Sequence, residues 1–198
     1  MVRHLLTLGL LLQAAPLLAD TLSGQVSEIS DGATITVVDK TRGRHKVRLA
    51  AIDAPESRQP YSKESKQHLS DLVFGKEVKV EWRQRDRYGR IIGKVMLQTP
   101  PCPTCPKTLD AGLAQLEAGL AWWYREYRRE QSLADQGYYE YAEFDAKARR
   151  IGLWQDEAPL PPWEWRRRNQ IVARLVTAPE PFTVRQRTNF RLASRADS

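Results

Sequence analysis

At 198 residues, with 41% hydrophobic and 28% charged residues, the chain has the balance of a globular protein with one domain and extensions. Beyond residue 19 no stretch is apolar for long enough to span a bilayer as a helix, which excludes a bundle of membrane-spanning helices. The formal charge of +7 is unevenly spread: residues 161–198 hold eight arginines against Glu164, Glu180 and Asp197, and the body from 20 to 160 is close to neutral.

The first segment, "MVRHLLTLGLLLQAAPLLAD", has a basic start at Arg3, an apolar run from Leu5 to Leu12 and a small residue, Ala19, before Asp20. This pattern predicts a signal peptide over 1–19 and export to the periplasm or medium, although Leu17 is bulky for an A-x-A-like cleavage site. Short strands follow: "SGQVSEIS", "ATITVVD", "HKVRLAAID", "KEVKVEWR" and "GRIIGKVML", with period-two alternation and frequent β-branched residues. Turns fall at Asp31-Gly32, at residues 41–44 and at Tyr88-Gly89. Five such strands suit a small closed barrel, which hides sheet edges.

Three helices are predicted among and after the strands. The first places Leu69, Leu72 and Val73 at helical spacing and stops at Gly75. The second, over 109–123, aligns Leu109, Leu113, Leu116 and Leu120; the third brings Tyr141, Phe144, Ala148 and Ile151 together before Gly152. These stripes read as core. Near residue 160 the composition changes to "PLPPWEWRRR", which marks a domain boundary and a basic extension expected to pack back through Trp163 and Trp165 and then fray. Such an extension suits nucleic acid or an acidic envelope surface, or simply a solvated tail, and none of these readings needs it for catalysis.

Cys102 and Cys105 lie in "TPPCPTCPKT". In an oxidising compartment this close pair favours a disulfide. A redox CxxC normally sits at a helix N-terminus in a βαβ setting, and zinc would need two further ligands where His45 and His68 stand apart.

The residues that carry chemistry surround "VRLAAIDAPES". Arg48 precedes an apolar run, Asp53 and Glu56 follow it around Pro55, and Arg90 closes "RDRYGR". A carboxylate beside a core is costly unless paired. Two carboxylates held near each other by a proline call for a cation, and two arginines suit a phosphate. A hard cation, a carboxylate base and guanidinium clamps together make a phosphodiesterase site.

"SDGATITV", "VRLAAIDAPES" and "RDRYGR", in this order, resemble the thermonuclease family of staphylococcal nuclease-like enzymes, and "GLAWWY" and "KARRIGLW" extend the likeness over roughly residues 23–157. The resemblance implies an α+β, mainly β fold: a five-stranded OB-fold barrel with about three helices. It implies a monomeric calcium-dependent endonuclease cutting DNA and RNA, with single strands preferred, to leave 3′-phosphorylated ends. By the same likeness Arg48 binds the phosphate, Glu56 is the general base on water, and Arg90 stabilises the transition state and aids departure of the 5′-oxygen. Asp53 and the carbonyl of Ala54 ligate calcium, Arg87 and Tyr88 line the nucleotide pocket, and Tyr124 and Tyr127 stack or contact phosphate. One element departs from the family. Its usual Asp-Gly-Asp-Thr reads Asp31-Gly32-Ala33-Thr34 here, so Ala33 removes a carboxylate ligand; Asp31 is placed to compensate, directly or through water, and the expectation is a weaker calcium site or one taking another divalent metal, with the fold kept. That loss keeps open a second reading, a nucleic-acid-binding module with a crippled metal site, and the Cys102–Cys105 pair separately leaves a third, a thiol oxidoreductase.

Overall fold

The computed structural model describes residues 20–98 and 106–177, with side chains to residue 173. The strands are β1 (Asp20–Asp31), β2 (Thr34–Asp39), β3 (Arg44–Leu49), β4 (Ile52–Asp53), β5 (Glu77–Arg85), β6 (Ile91–Gln98), β7 (Lys107–Asp110) and β8 (Trp122–Trp123). The α-helices are α1 (Ser62–Val73), α2 (Ala111–Glu117), α3 (Leu133–Ala148) and α4 (Pro162–Thr177), with 3₁₀ turns at Arg125–Glu130 and Gly152–Gln155. Strand order β3-β2-β1-β5-β6 closes into a barrel because β3 also pairs, in parallel, with β6; β7 extends the sheet beyond β6. This is the predicted five-stranded OB-fold barrel. β1 serves two neighbours, and irregularities at Val26/Glu28 and Ile29/Asp31 bend it to do so.

Alternation fills the barrel with fully buried Ile35, Val37, Val47, Leu49, Val78, Val80, Ile91 and Val95, and α1 adds Leu69 and Val73. A polar staple joins the barrel to two helices. Buried Gln115 donates through Nε2 to the carbonyls of Gly32 (2.6 Å) and Ser65 (3.0 Å), and its Oε1 lies 2.5 Å from His68 Nδ1. Gly32 is required there, since a Cβ would sit 2.8 Å from that of Ser65 and 2.9 Å from that of Ala54.

The structure corrects several local expectations. "HKVRLAAID" is not one strand: it breaks at Ala50-Ala51, where Ala51 takes a left-handed φ of 55°, and resumes as β4 against β8. The second helix is shorter than its leucine stripe, because Asp110 caps it by accepting from the Gly112 N–H (2.9 Å) and Gly119, at φ 64°, ends it. On α3 the buried face is Tyr139, Ala142, Glu143 and Ala146, whereas Tyr141 and Phe144 are 68% and 65% exposed. Two aromatic faces compete on that helix. The winner carries small alanines at the contact and a tyrosine whose OH donates to Asp110 Oδ2 (2.9 Å). Finally, the extension forms a helix, α4, that begins at a proline, a residue preorganised for the first helical turn. Cys102 and Cys105, the predicted disulfide, lie outside the described residues. Among the described residues, no helix is long and apolar enough to cross a membrane.

Candidate active site

Arg48 stands in β3 between Val47 and Leu49, both buried in the barrel, so the alternation of the strand turns its side chain the other way. Its backbone is framed by Thr34 of β2 and Ile92 of β6. The left-handed turn at Ala51 folds the chain back, and β4 pins Asp53 opposite Trp122. As a result Arg48 Nη2 donates to the Ile52 carbonyl (3.3 Å) and to Asp53 Oδ1 (3.2 Å), with both side chains largely buried. Pro55 then leads to Glu56. Its N–H donates to Gln59 Oε1 (3.1 Å) and its carbonyl accepts from the Gln59 N–H (2.7 Å), which fixes the Glu56 loop.

Arg90 is organised by Asp86. Asp86 Oδ1 accepts the N–H groups of Tyr88 (2.9 Å) and Arg90 (3.0 Å), and Oδ2 accepts Arg90 Nε at 2.6 Å. Burial by itself would raise the Asp86 pKa, but the guanidinium and these N–H donors outweigh it and lower it. Two guanidiniums approach the Tyr88 ring, that of Arg87 at 4.9 Å and that of Arg90 at 5.6 Å from its centroid.

These elements enclose a cleft of about 780 Å³ whose lining includes Asp31, Arg48, Asp53, Ala54, Glu56, Arg87, Tyr88, Arg90 and Tyr127. Every predicted site residue except Tyr124 and the two cysteines therefore shares one cavity. Tyr127 presents its ring 5.8 Å from the Arg48 guanidinium. Tyr124 stands behind it: its ring stacks on Trp163 of α4 at 4.9 Å and 19°, and its hydroxyl donates to Glu126 Oε2 (2.7 Å). Burial, then Glu126, pushes the Tyr124 phenol up to about 12. A second cavity of about 480 Å³, which shares Gln84 and Glu130 with the first, is lined by none of the predicted residues.

Three residues of the site escape the sequence pattern. Gln59 is buried and also donates through Nε2 to the Leu160 carbonyl, which ties the start of the extension to the Glu56 loop. Glu130 lines the cleft with Oε1 on Gln84 (2.6 Å) and with a buried Oε2 that has no hydrogen-bond partner among the described residues; burial raises its pKa against the pull of Gln84 and Arg48. Arg166 of α4 donates from Nη1 to Glu56 Oε1 (2.5 Å) and from Nη2 to Asp53 Oδ2 (2.7 Å). Burial opposes its charge, yet the two carboxylates more than offset this and its pKa rises. The only sequence hint of Arg166 was its spacing three residues after Trp163, which puts both on one helical face.

The partner that Asp53 requires is therefore a pair of guanidiniums. Both of its oxygens are engaged, Oδ1 by Arg48 and Oδ2 by Arg166. Asp31, the other expected ligand, spends Oδ1 on the Ala33 N–H (2.8 Å), and Ala33 itself is a buried methyl. Among the described residues no three His, Cys, Asp or Glu side chains gather as a metal-holding group. In this arrangement Asp31, Asp53 and Ala54 do not fit a divalent ion, which takes six to eight oxygens as calcium or a near-ideal octahedron as magnesium.

A closed OB barrel that holds two arginines, paired carboxylates and an aromatic wall on one cleft is a frame suited to a phosphodiesterase acting on polynucleotides. The comparisons place it further. The family model described as "Staphylococcal nuclease homologue" matches residues 46–156. A micrococcal nuclease of Shigella flexneri is 42% identical over 159 residues, covering 79% of this chain and 87% of that protein. Proteins named uncharacterized endonuclease are 36% identical over 167 residues in Escherichia coli (84% of this chain, 99% of that protein) and 37% over 147 residues in Haemophilus influenzae (74% of each). The chain belongs to the staphylococcal nuclease family, a family of hydrolases whose substrates are nucleic acids and which generally depend on a divalent metal.

Proposed function

We propose that the protein is an exported endonuclease that hydrolyses phosphodiester bonds of DNA and RNA, single strands foremost, and leaves 3′-phosphorylated ends. The observation that carries this reading is the convergence of Arg48, Glu56 and Arg90 on one cleft walled by Tyr88 and Tyr127. Arg48 holds a phosphate oxygen, Glu56 takes a proton from the attacking water as the O–P bond forms, and the P–O5′ bond breaks opposite it. Arg90 donates to the departing 5′-oxygen, which takes its proton from solvent. Tyr88 and Tyr127 offer flat surfaces on which a splayed base can stack, whatever its identity. Calcium, the ion the resemblance implies, enters only by rearrangement at Asp53. Export rests on residues 1–19, outside the described residues.

Cleavage of single-stranded DNA and RNA with analysis of the product ends tests the reading. Glu56→Gln should reduce turnover by about 10² to 10⁴-fold with substrate binding little changed, because a general base is lost. Absence of cleavage with every divalent ion tried overturns it. Ala33 and the occupied Asp53 favour one second reading, a binding module, which predicts salt-sensitive association with single strands and no products.

A further inference from the structure

We propose that Arg166 is the resident counter-cation of the Asp53–Glu56 pair, and that a divalent ion reaches Asp53 only by displacing it. Docking of α4 and metal binding then oppose each other.

Contacts near its first turn hold α4 over the site, with Trp163 also packed against the cluster of Trp122, Leu153 and Trp154. Gln59 binds the Leu160 carbonyl just ahead of the helix, Trp163 stacks on Tyr124, and Arg166 bridges the two carboxylates. The first two fix the start of the helix and leave the third to reach into the cleft. Asp53 is 5% exposed and lies next to the barrel core, where an unpaired carboxylate is costly, so a cation has to stay with it. Arg48 satisfies one oxygen but is itself framed in the barrel. Arg166 satisfies the other from a single-helix extension, with its side chain 39% exposed. Of the two guanidiniums it is the one that can leave. A divalent ion placed on Asp53 Oδ2 would meet a positive charge already within hydrogen-bond distance of that atom, and it would find a carboxylate already neutralised from both sides. Mutual exclusion is reciprocal: whatever the ion does to α4, α4 does to the affinity of the ion.

The inference concerns the same cleft as the nuclease reading, but its readout is metal affinity, so each can fail without the other. Calorimetric titration of the full chain with Ca²⁺ and with Mn²⁺ supplies the measurement. Arg166→Gln should bind the ion about tenfold more tightly than the wild type, within the several-fold to hundredfold range of coupled sites. Arg167→Gln, which removes the same charge from an exposed neighbour, should leave the affinity unchanged. Trp163→Ala, which loosens the helix and keeps every charge, should tighten binding in the same direction by a smaller factor, and it serves if Arg166→Gln folds poorly. In the wild type, saturating metal should speed deuterium exchange in α4 and leave the barrel strands unchanged. An ion that binds Arg166→Gln and the wild type equally overturns the proposal. So does an α4 that stays equally protected at saturating metal, and so does failure of both proteins to bind any divalent ion.

Discussion

Two arginines hold the same carboxylate from opposite sides, and they are held in turn by very different parts of the molecule. Arg48 grows from a strand paired on both edges in a closed sheet, and its side chain is 13% exposed. Arg166 grows from an appended helix seated at its first turn, where Trp163 stacks on Tyr124 and packs against the cluster of Trp122, Leu153 and Trp154. The chemistry of the two ion pairs is alike. Their freedom differs, because opening a barrel strand approaches the cost of global unfolding, whereas an appended helix opens locally at much less. Equal contacts in a static structure thus correspond to one permanent and one removable charge.

The comparison can be broken from the strong side first. Arg48→Gln should lower cleavage by about 10² to 10³-fold, the usual cost of removing one donor to a developing oxyanion, with Arg166 unable to substitute because it faces the carboxylates. Single-turnover rates measure this, and a smaller loss than that of Arg166→Gln would reverse the ranking. Trp163→Ala should cost at least about 0.5 to 1.5 kcal/mol, the worth of an aromatic pair beyond the area it buries, and the cost should be confined to α4. Exchange mass spectrometry should show faster exchange over residues 162–173 and unchanged strands; uniform loosening would mean that α4 and the barrel unfold as one unit. Glu130→Gln should have the smallest effect. The Glu130 pKa is raised in the fold, so its favourable contribution is complete below the unfolded value of about 4.3 and is lost as pH rises through the folded value. The amide should therefore raise the melting temperature by a few degrees at neutral pH and lose that advantage in acid. A pH-independent difference would assign the effect to packing.

Much of the barrel could be read in advance because strand alternation is a local property: Val78 and Val80, or Val95 and Leu97, repeat at period two and are buried as that period requires. The cluster of charged residues in the cleft was legible for a related reason. Arg48, Asp53 and Glu56 lie within nine residues, and Asp86 builds the Arg90 turn from its own neighbours. The face of α3 was not legible, since helical spacing admits both Tyr141 with Phe144 and Tyr139 with Ala142, and only the fit against α2 chooses between them.

By itself, then, the sequence determined the strand pattern, the turn chemistry and the cluster of opposed charges at the end of β3, all of which depend on residues close together in the chain. The tertiary structure alone decided which cation answers that cluster. Arg166 lies 113 residues from Asp53 and 110 from Glu56, and it is one of eight arginines in the extension. Periodicity carries no information about charge partners at that separation. The choice falls to the packing that seats Trp163 on Tyr124 and delivers the guanidinium one helical turn later.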